Sequence, residues 1–328
     1  MILNGRTDVS FSAATERRVL DAARKLGYKL PRRRTDTLWD GKTILVVCPN
    51  VTNPYYSSIV QAIQQAAHSR DLFALVCTTY RDMAVEERIL RVAAASKAAG
   101  VIFAMMPQCG KLIENVAGAL PVVVIGDRNA SLSVDTVELD NFEAGALIAR
   151  HMIGLGHRHA VYVTTTLNEA NSARVRRVEG LVATWREACP EGSVLVRSRA
   201  VTPEEELMDI AIEHRVGQEL AEECLADARL TAFVAVNDMV GYGVLDAILG
   251  AGFRVPQDYS VCGFDNIFPS NFKRVGLTTV EHYMEEKGRN AVEMLCSALG
   301  GSAPHNITRV EYKPLLVVRG STAQPRQG

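Results

Sequence analysis

From Thr43 onward, short runs of aliphatic residues alternate with longer amphipathic stretches. Ile44-Leu45-Val46-Val47, Phe73-Ala74-Leu75-Val76, Val101-Ile102-Phe103-Ala104 and Val122-Val123-Val124-Ile125 read as strands. Apolar positions recurring every three or four residues predict helices over 55–70 and 84–98 between them. After Asp140 the rhythm resumes, with helices predicted over 142–155, 172–188, 204–226 and 238–250. The strands of this second series fall at 160–164, 193–197, 232–236 and 260–264. Unbroken β-branched runs suit strands covered on both faces. Helices between them imply right-handed crossovers and a parallel sheet. Two successive series predict an α/β fold of two doubly wound parallel-sheet lobes.

A separate helix precedes the first strand. Ser12 can cap its first amides, Glu16 suits the positive end of the helix dipole, and Gly27 is a natural stop. Val19, Leu20, Ala23 and Leu26 fall on one face, as they also would in any amphipathic surface helix. Charge changes the picture here. Residues 1–42 carry ten Lys/Arg against five Asp/Glu, whereas the remainder carries 26 against 32. A basic front on an acidic body is the pattern of a nucleic-acid contact at one end. Its densest part, Lys29 to Arg34, reads equally as a solvated linker or as a phosphate contact.

Composition narrows the class further. The chain of 328 residues, 48% hydrophobic, is long for one core and globular in character. No apolar run approaches the roughly 18 residues of a membrane helix. The start MILNGRTD lacks the basic, apolar and small-residue segments of a secretion signal, so a cytoplasmic location is expected. Seven cysteines are scattered without a C-x-x-C pair, which suits buried, reduced thiols rather than metal or redox work. No G-x-S-x-G, P-loop, H-E-x-x-H or G-x-G-x-x-G motif occurs. The seven histidines are dispersed, and His157 and His159 suit capping or packing better than ligation. No enzyme activity, cofactor or metal is expected.

Several motifs in fixed order carry a resemblance. Leu3-Asn4-Gly5 is followed by a helix ending in Leu26-Gly27-Tyr28. Further on come Asn53-Pro54-Tyr55-Tyr56, Leu139-Asp140-Asn141, Leu155-Gly156-His157 and Arg177 three residues before Gly180-Leu181. Asn237-Asp238-Met239, Val255-Pro256, Gly263-Phe264-Asp265-Asn266 and Leu277-Thr278-Thr279-Val280 complete the series. Together these resemble the lactose-repressor (LacI/GalR) family of transcriptional regulators over nearly the whole chain. The resemblance implies a periplasmic-binding-protein-like core preceded by a helical remnant of a DNA-binding headpiece. The two helices that read the major groove would lie before Met1. The implied division is 1–42 for headpiece and hinge, and 43–139 with 281–312 for the N-terminal lobe. The C-terminal lobe takes 140–280 with 313–322, leaving 323–328 as a tail.

In that family a homodimer grips operator DNA, and short hinge helices wedge a leucine into the minor groove. Here Leu38 takes the wedge position, with Asn4 in the headpiece turn and Arg32, Arg33 and Arg34 available to phosphates. The hinge departs from the family's alanine-rich pattern, since Thr35 and Thr37 are poorer helix formers. The tail from Ser321 shows no leucine heptad, so a dimer is the default.

Ligands of open α/β sheets bind beyond the carboxyl ends of the strands. The loops obeying that rule hold aromatics, amides, carboxylates and guanidiniums, the inventory for a small hydroxyl-rich effector. By resemblance Tyr55 and Tyr56 pack on a ligand ring, although either could plug the lobe core. Arg177 matches the family's ligand arginine, with Arg174 and Arg176 as rivals. Asn237 and Asp265 match the hydroxyl-binding pair of the second lobe, Asp265 being alternatively a turn carboxylate. Asp127 and Arg128 occupy a suitable loop. Asp140 is either a ligand group or an N-cap. The small-molecule effector suggested is a sugar or related polar metabolite acting as inducer, and the competing readings are a periplasmic-type solute-binding protein and an effector sensor without DNA binding.

Overall fold

The computed structural model describes residues 11–26, 41–127, 132–300 and 306–326. The leading helix, α1 (Ala13–Lys25), begins beside Ser12, whose hydroxyl oxygen accepts from the Thr15 amide at 3.3 Å. Ala23 is buried, whereas Leu26, expected on the same apolar face, is exposed.

Among the described residues the remaining chain forms two six-stranded sheets. The first takes β1 (Thr43–Cys48), β2 (Phe73–Thr78), β3 (Gly100–Phe103), β4 (Val122–Gly126), β5 (Asp135–Leu139) and β11 (Arg309–Tyr312). Its order is β11-β5-β4-β3-β1-β2, and every pairing is parallel. The second takes β6 (His159–Thr164), β7 (Ser193–Ser198), β8 (Ala232–Ala235), β9 (Ser260–Asp265), β10 (Thr278–Glu281) and β12 (Leu315–Val317). Its order is β12-β10-β9-β8-β6-β7, parallel except for the β10–β12 pair.

The chain therefore passes between sheets at Asp140, again between Glu281 and Met284, and a third time between Tyr312 and Leu315. The passages lie together: the Asp140 amide donates to the Tyr312 carbonyl at 3.3 Å, and the rings of Tyr283 and Tyr312 stack at 5.2 Å.

The aliphatic runs of β1, β3 and β4 are buried almost throughout, as strands covered on both faces must be. Each fully buried Val, Ile or Leu contributes about 1.5–3 kcal/mol. Helix α2 (Pro54–His68) packs with α10 (Met284–Gly300) on the first sheet, and α3 (Met83–Ala95) lies against α4 (Gly110–Val116). On the second sheet α5 (Asn141–Leu155) pairs with α6 (Ser172–Ala188), and α8 (Ile212–Cys224) with α9 (Asp238–Gly250). A Cβ added at Gly145 would lie 2.0 Å from the Arg177 carbonyl oxygen, and one at Gly180 would lie 1.9 Å from that of Phe142. Two missing side chains thus let α5 and α6 touch by their backbones.

The helix expected over 204–226 is broken. Thr202 and Glu205 form a capping box for α7 (Pro203–Met208), which ends at an extended Asp209. The Asp209 side chain accepts from the Ala211 amide at 2.9 Å, a local bond that competes with helix continuation. Elements α4, α10, β5, β10, β11 and β12 were not anticipated from the periodicity. Strand β5 reads Asp-Thr-Val-Glu-Leu, yet all five residues are buried. Asp135 accepts from the Thr308 amide and Glu138 from the Thr136 hydroxyl, so the polar groups are satisfied within the fold.

Candidate functional site

A cleft open to solvent lies between the two sheets at the carboxyl ends of their strands. From the first sheet come Asn53 after β1, Arg81 after β2, Ala104–Met106 after β3 and Ile125–Gly126 at the end of β4. From the second come residues 170–174 and Arg177, Asn237 after β8 and Asp265 ending β9. Tyr55 and Tyr56 complete the wall. Five of the residues expected from the sequence therefore meet in one crevice: Tyr55, Tyr56, Arg177, Asn237 and Asp265.

Local sequence explains each position. Asn53 caps α2 by accepting from the Tyr55 amide at 2.9 Å, and Pro54 opens the helix. The two tyrosines therefore occupy the first turn, edge to face at 5.0 Å. Their hydroxyls resist ionisation because both are buried. The Tyr56 oxygen accepts from Arg81 at 2.8 Å, while the Tyr55 ring lies 5.6 Å from that of His282. Asn237 caps α9 by accepting from the Val240 amide at 2.9 Å.

Arg177 is buried and extensively engaged. It donates to Asn141 Oδ1 at 2.9 Å and to the Val236 carbonyl at 2.8 Å, and its guanidinium lies 5.0 Å from the Phe264 ring. A third bond, 3.3 Å long, runs to His282 Nε2. Because guanidinium only donates, that imidazole nitrogen is the acceptor and the proton sits on Nδ1. Burial, and then the Arg177 charge, holds His282 well below its ordinary pKa, so the ring is neutral. Its Nδ1 is buried, has no hydrogen-bond partner, and lies 3.7 Å from Asp265 Oδ1. Arg177 itself stands 3.8 Å from the same oxygen. Burial pushes the Asp265 carboxyl well above the usual range, with Arg177 partly opposing it. Asp265 also has a φ of 110°, a conformation that side-chain-bearing residues rarely adopt and that concentrates at functional sites.

Other expected residues have different positions. Asp140 does not line the cleft; its carboxylate caps α5 by accepting from the Glu143 amide at 2.9 Å. Asp127 also lies off the lining. It is buried and accepts from Asn141 Nδ2 at 3.1 Å, which fixes the amide that in turn holds Arg177. Arg176, one of the rivals to Arg177, is exposed and pairs with Glu179. Arg128, Asn4, Arg32, Arg33, Arg34 and Leu38 lie outside the described residues.

Arg174, the other rival to Arg177, lines the cleft and belongs to a second set whose glutamates the sequence did not single out. Arg174 donates to Thr165 and, at 2.9 Å, to Glu213. Glu213 also accepts from Asn53 at 2.8 Å and from Asn237 at 3.0 Å, so it ties one sheet's loop to the other's. Glu206 likewise accepts from Asn50 at 2.7 Å and stands 3.4 Å from Arg81 Nε. Both glutamates fall within the single helix predicted over 204–226, and no periodicity signal marks them. Ser172 lines the cleft with a hydroxyl that lacks a partner. Among the described residues no group of three or more His, Cys, Asp or Glu could hold a metal ion, and no helix is long and apolar enough to cross a membrane.

Comparison with known proteins places this geometry. The family model of the periplasmic binding protein-like domain matches residues 149–322. The HTH-type transcriptional regulator reg1 of Streptomyces lividans is 29% identical over 333 residues, covering 98% of this chain and 91% of that protein. The cellobiose complex of the transcriptional regulator CelR superposes with a TM-score of 0.71 at 26% identity, covering 98% of this chain and 94% of that one. A LacI family regulator from Enterococcus faecium, solved with bound ribose, shares the fold with a TM-score of 0.72 at 22% identity, covering 86% and 99% of the two chains. With that domain match, these relatives and the landmark motifs in order, the chain belongs to the lactose-repressor (LacI/GalR) family of transcriptional regulators, built on a periplasmic binding protein-like core.

Proposed function

We propose that this protein is an effector-responsive transcriptional regulator, in the sense of a repressor, whose two sheets are the jaws of a clamp for a small sugar-like ligand. The jaws are residues 43–139 with 281–312, and residues 140–280 with 313–322; residues 323–328 are a tail. Residues 1–42 supply the DNA-facing segment. One observation carries the reading. The cleft combines an aromatic pair and the Asp265 carboxyl with Ser172 Oγ, a buried polar atom that has no partner; behind that wall His282 Nδ1, 3.7 Å from Asp265, is unmatched as well. Tyr162, whose buried hydroxyl also lacks a partner, lies within electrostatic reach of Arg177 and Asp265. Buried donors and acceptors left unmatched are costly, and a polyol bearing several hydroxyls matches them. The ribose bound to the Enterococcus relative and the cellobiose bound to CelR are ligands of that chemistry.

Control of DNA follows from linkage. A ligand touching both jaws favours the arrangement in which its contacts are complete, and alters DNA affinity by its difference in affinity between arrangements. The protein works as a homodimer on operator DNA in the cytoplasm, uses no cofactor and catalyses no reaction. The test is calorimetry against pentoses, hexoses, polyols and their acids, followed by titration of duplex from the control region of the protein's own operon. The expected result is one sugar-type ligand that changes DNA affinity by about 5- to 150-fold. Absence of binding by every class of sugar would overturn the reading.

A further inference from the structure

We propose that the effector carries an anionic group, a carboxylate or a phosphate, which seats between Arg81 and Arg174 and takes over donors now given to Glu206 and Glu213. The proposal deepens the reading above and rests on it.

The carboxylate of Glu213 collects three side-chain donors: Asn53 Nδ2 at 2.8 Å, Asn237 Nδ2 at 3.0 Å and an Arg174 Nη at 2.9 Å. Glu206 takes the Asn50 amide at 2.7 Å and faces Arg81 Nε at 3.4 Å. Donors from both jaws thus converge on two of the protein's own carboxylates, and Asn53, Asn237, Arg81 and Arg174 all belong to the cleft wall. Arginine is a donor without acceptor capacity, and its planar fork matches carboxylate and phosphate oxygens in pairs. A neutral polyol that displaced the glutamates would leave two guanidiniums facing each other across the cleft. An anion replaces the lost charge.

The two cations already repel. Burial and then the Arg81 charge lower the pKa of Arg174, although the residues belong to opposite jaws. An anion between them would draw the jaws together. The glutamates can give way at little cost to the core, because α7, which bears Glu206, buries none of its residues. Glu213 stands in the first turn of α8, at the edge of the cleft, with its side chain 20% exposed. The cleft then has two ends. At one, Asp265, His282 and Arg177 gather near Tyr55 and read hydroxyls; at the other, Arg81 and Arg174 gather near Tyr56 and read charge.

The experiment is calorimetry on the full chain with matched sets: D-glucose, D-gluconate, D-glucuronate, D-glucose 6-phosphate and D-glucosamine, and the same derivatives of D-galactose, D-ribose and L-arabinose. The expected result is an acidic member that binds at least about 30-fold more tightly than its neutral parent. Carboxylates and phosphates are separate arms, so the same data identify the anion. Arg81→Gln and Arg174→Gln should each bring the acid-to-neutral ratio close to one, with Arg81→Lys retaining part of the preference. Glu206→Gln, which removes a competing carboxylate, should tighten the acid. A neutral or amino sugar that binds as tightly as its acid, with a ratio unmoved by Arg81→Gln, overturns this inference and leaves the sugar-clamp reading intact. Binding by no member of any set overturns both.

Discussion

Arg177 Nε donates to Asn141 Oδ1 at 2.9 Å, and the other end of that amide donates to Asp127 Oδ1 at 3.1 Å. A guanidinium of one jaw is thus aimed by an amide that is itself fixed from the loop after β4 of the other. Replacing Asn141 by Ala leaves a buried guanidinium N–H and a buried carboxylate oxygen unmatched. Asn141→Ala is expected to lower stability by about 1–3 kcal/mol, measured by urea denaturation. An unchanged midpoint would show that Arg177 does not depend on this amide.

Asp265 yields a prediction that separates binding from folding. Asp265→Asn should weaken the effector by about 10- to 100-fold, since a carboxyl group of the cleft lining is lost. Its effect on stability runs the other way with pH. Burial raises the folded pKa, so over the range in which the unfolded carboxylate has ionised the folded chain holds more protons than the unfolded one. Wild-type stability therefore falls as pH rises through that range, and the variant lacks this dependence. Denaturation of both proteins at several pH values should show the variant gaining on wild type from acid to neutral pH.

Lys287, in the first turns of α10, is fully buried near the charges of Arg177, Asp265, Glu281 and Asp127. Burial and then Arg177 bring its pKa down to about 7 from the ordinary lysine value of 10.5. Between these values the unfolded chain holds a proton that the folded chain has released, so wild-type stability rises with pH. Lys287→Met is expected to be more stable by about 1–4 kcal/mol at neutral pH. That advantage should shrink as the solution is made alkaline. An advantage that does not vary with pH would mean that the ammonium is not penalised by burial.

The approach of α5 to α6 leaves no room for a methyl group. A Cβ at residue 180 would overlap the Phe142 carbonyl oxygen, which is backbone and cannot rotate away. Gly180→Ala should therefore cost about 1–3 kcal/mol in a thermal melt. It should also weaken effector binding, because Asn141 and Arg177 sit on the two helices being pried apart.

The strand–helix rhythm, the caps at Ser12 and Asp140 and the carboxyl-end loops were legible because each is a local matter. Burial on both faces demands unbroken aliphatic runs, and a cap demands a short polar side chain before a helix. The break at Asp209 was less visible, since an Asx-type bond competes with the helix only by a small margin. Strand β5 was hidden because Asp135 is satisfied by Thr308, a partner distant in sequence, and Glu138 by the neighbouring Thr136 hydroxyl.

By itself the sequence determined the layered α/β plan, the basic leader and the family motifs, including the loops that hold Tyr55, Tyr56, Arg177, Asn237 and Asp265. Only the tertiary structure decided which polar groups face one another. It turned Asp140 into a helix cap and Asp127 into a brace for Asn141, and it brought Glu206 and Glu213 across to Asn50, Asn53 and Arg81. Periodicity reports which face of an element is buried, whereas a hydrogen bond depends on the separation of two elements whose distance along the chain carries no such signal.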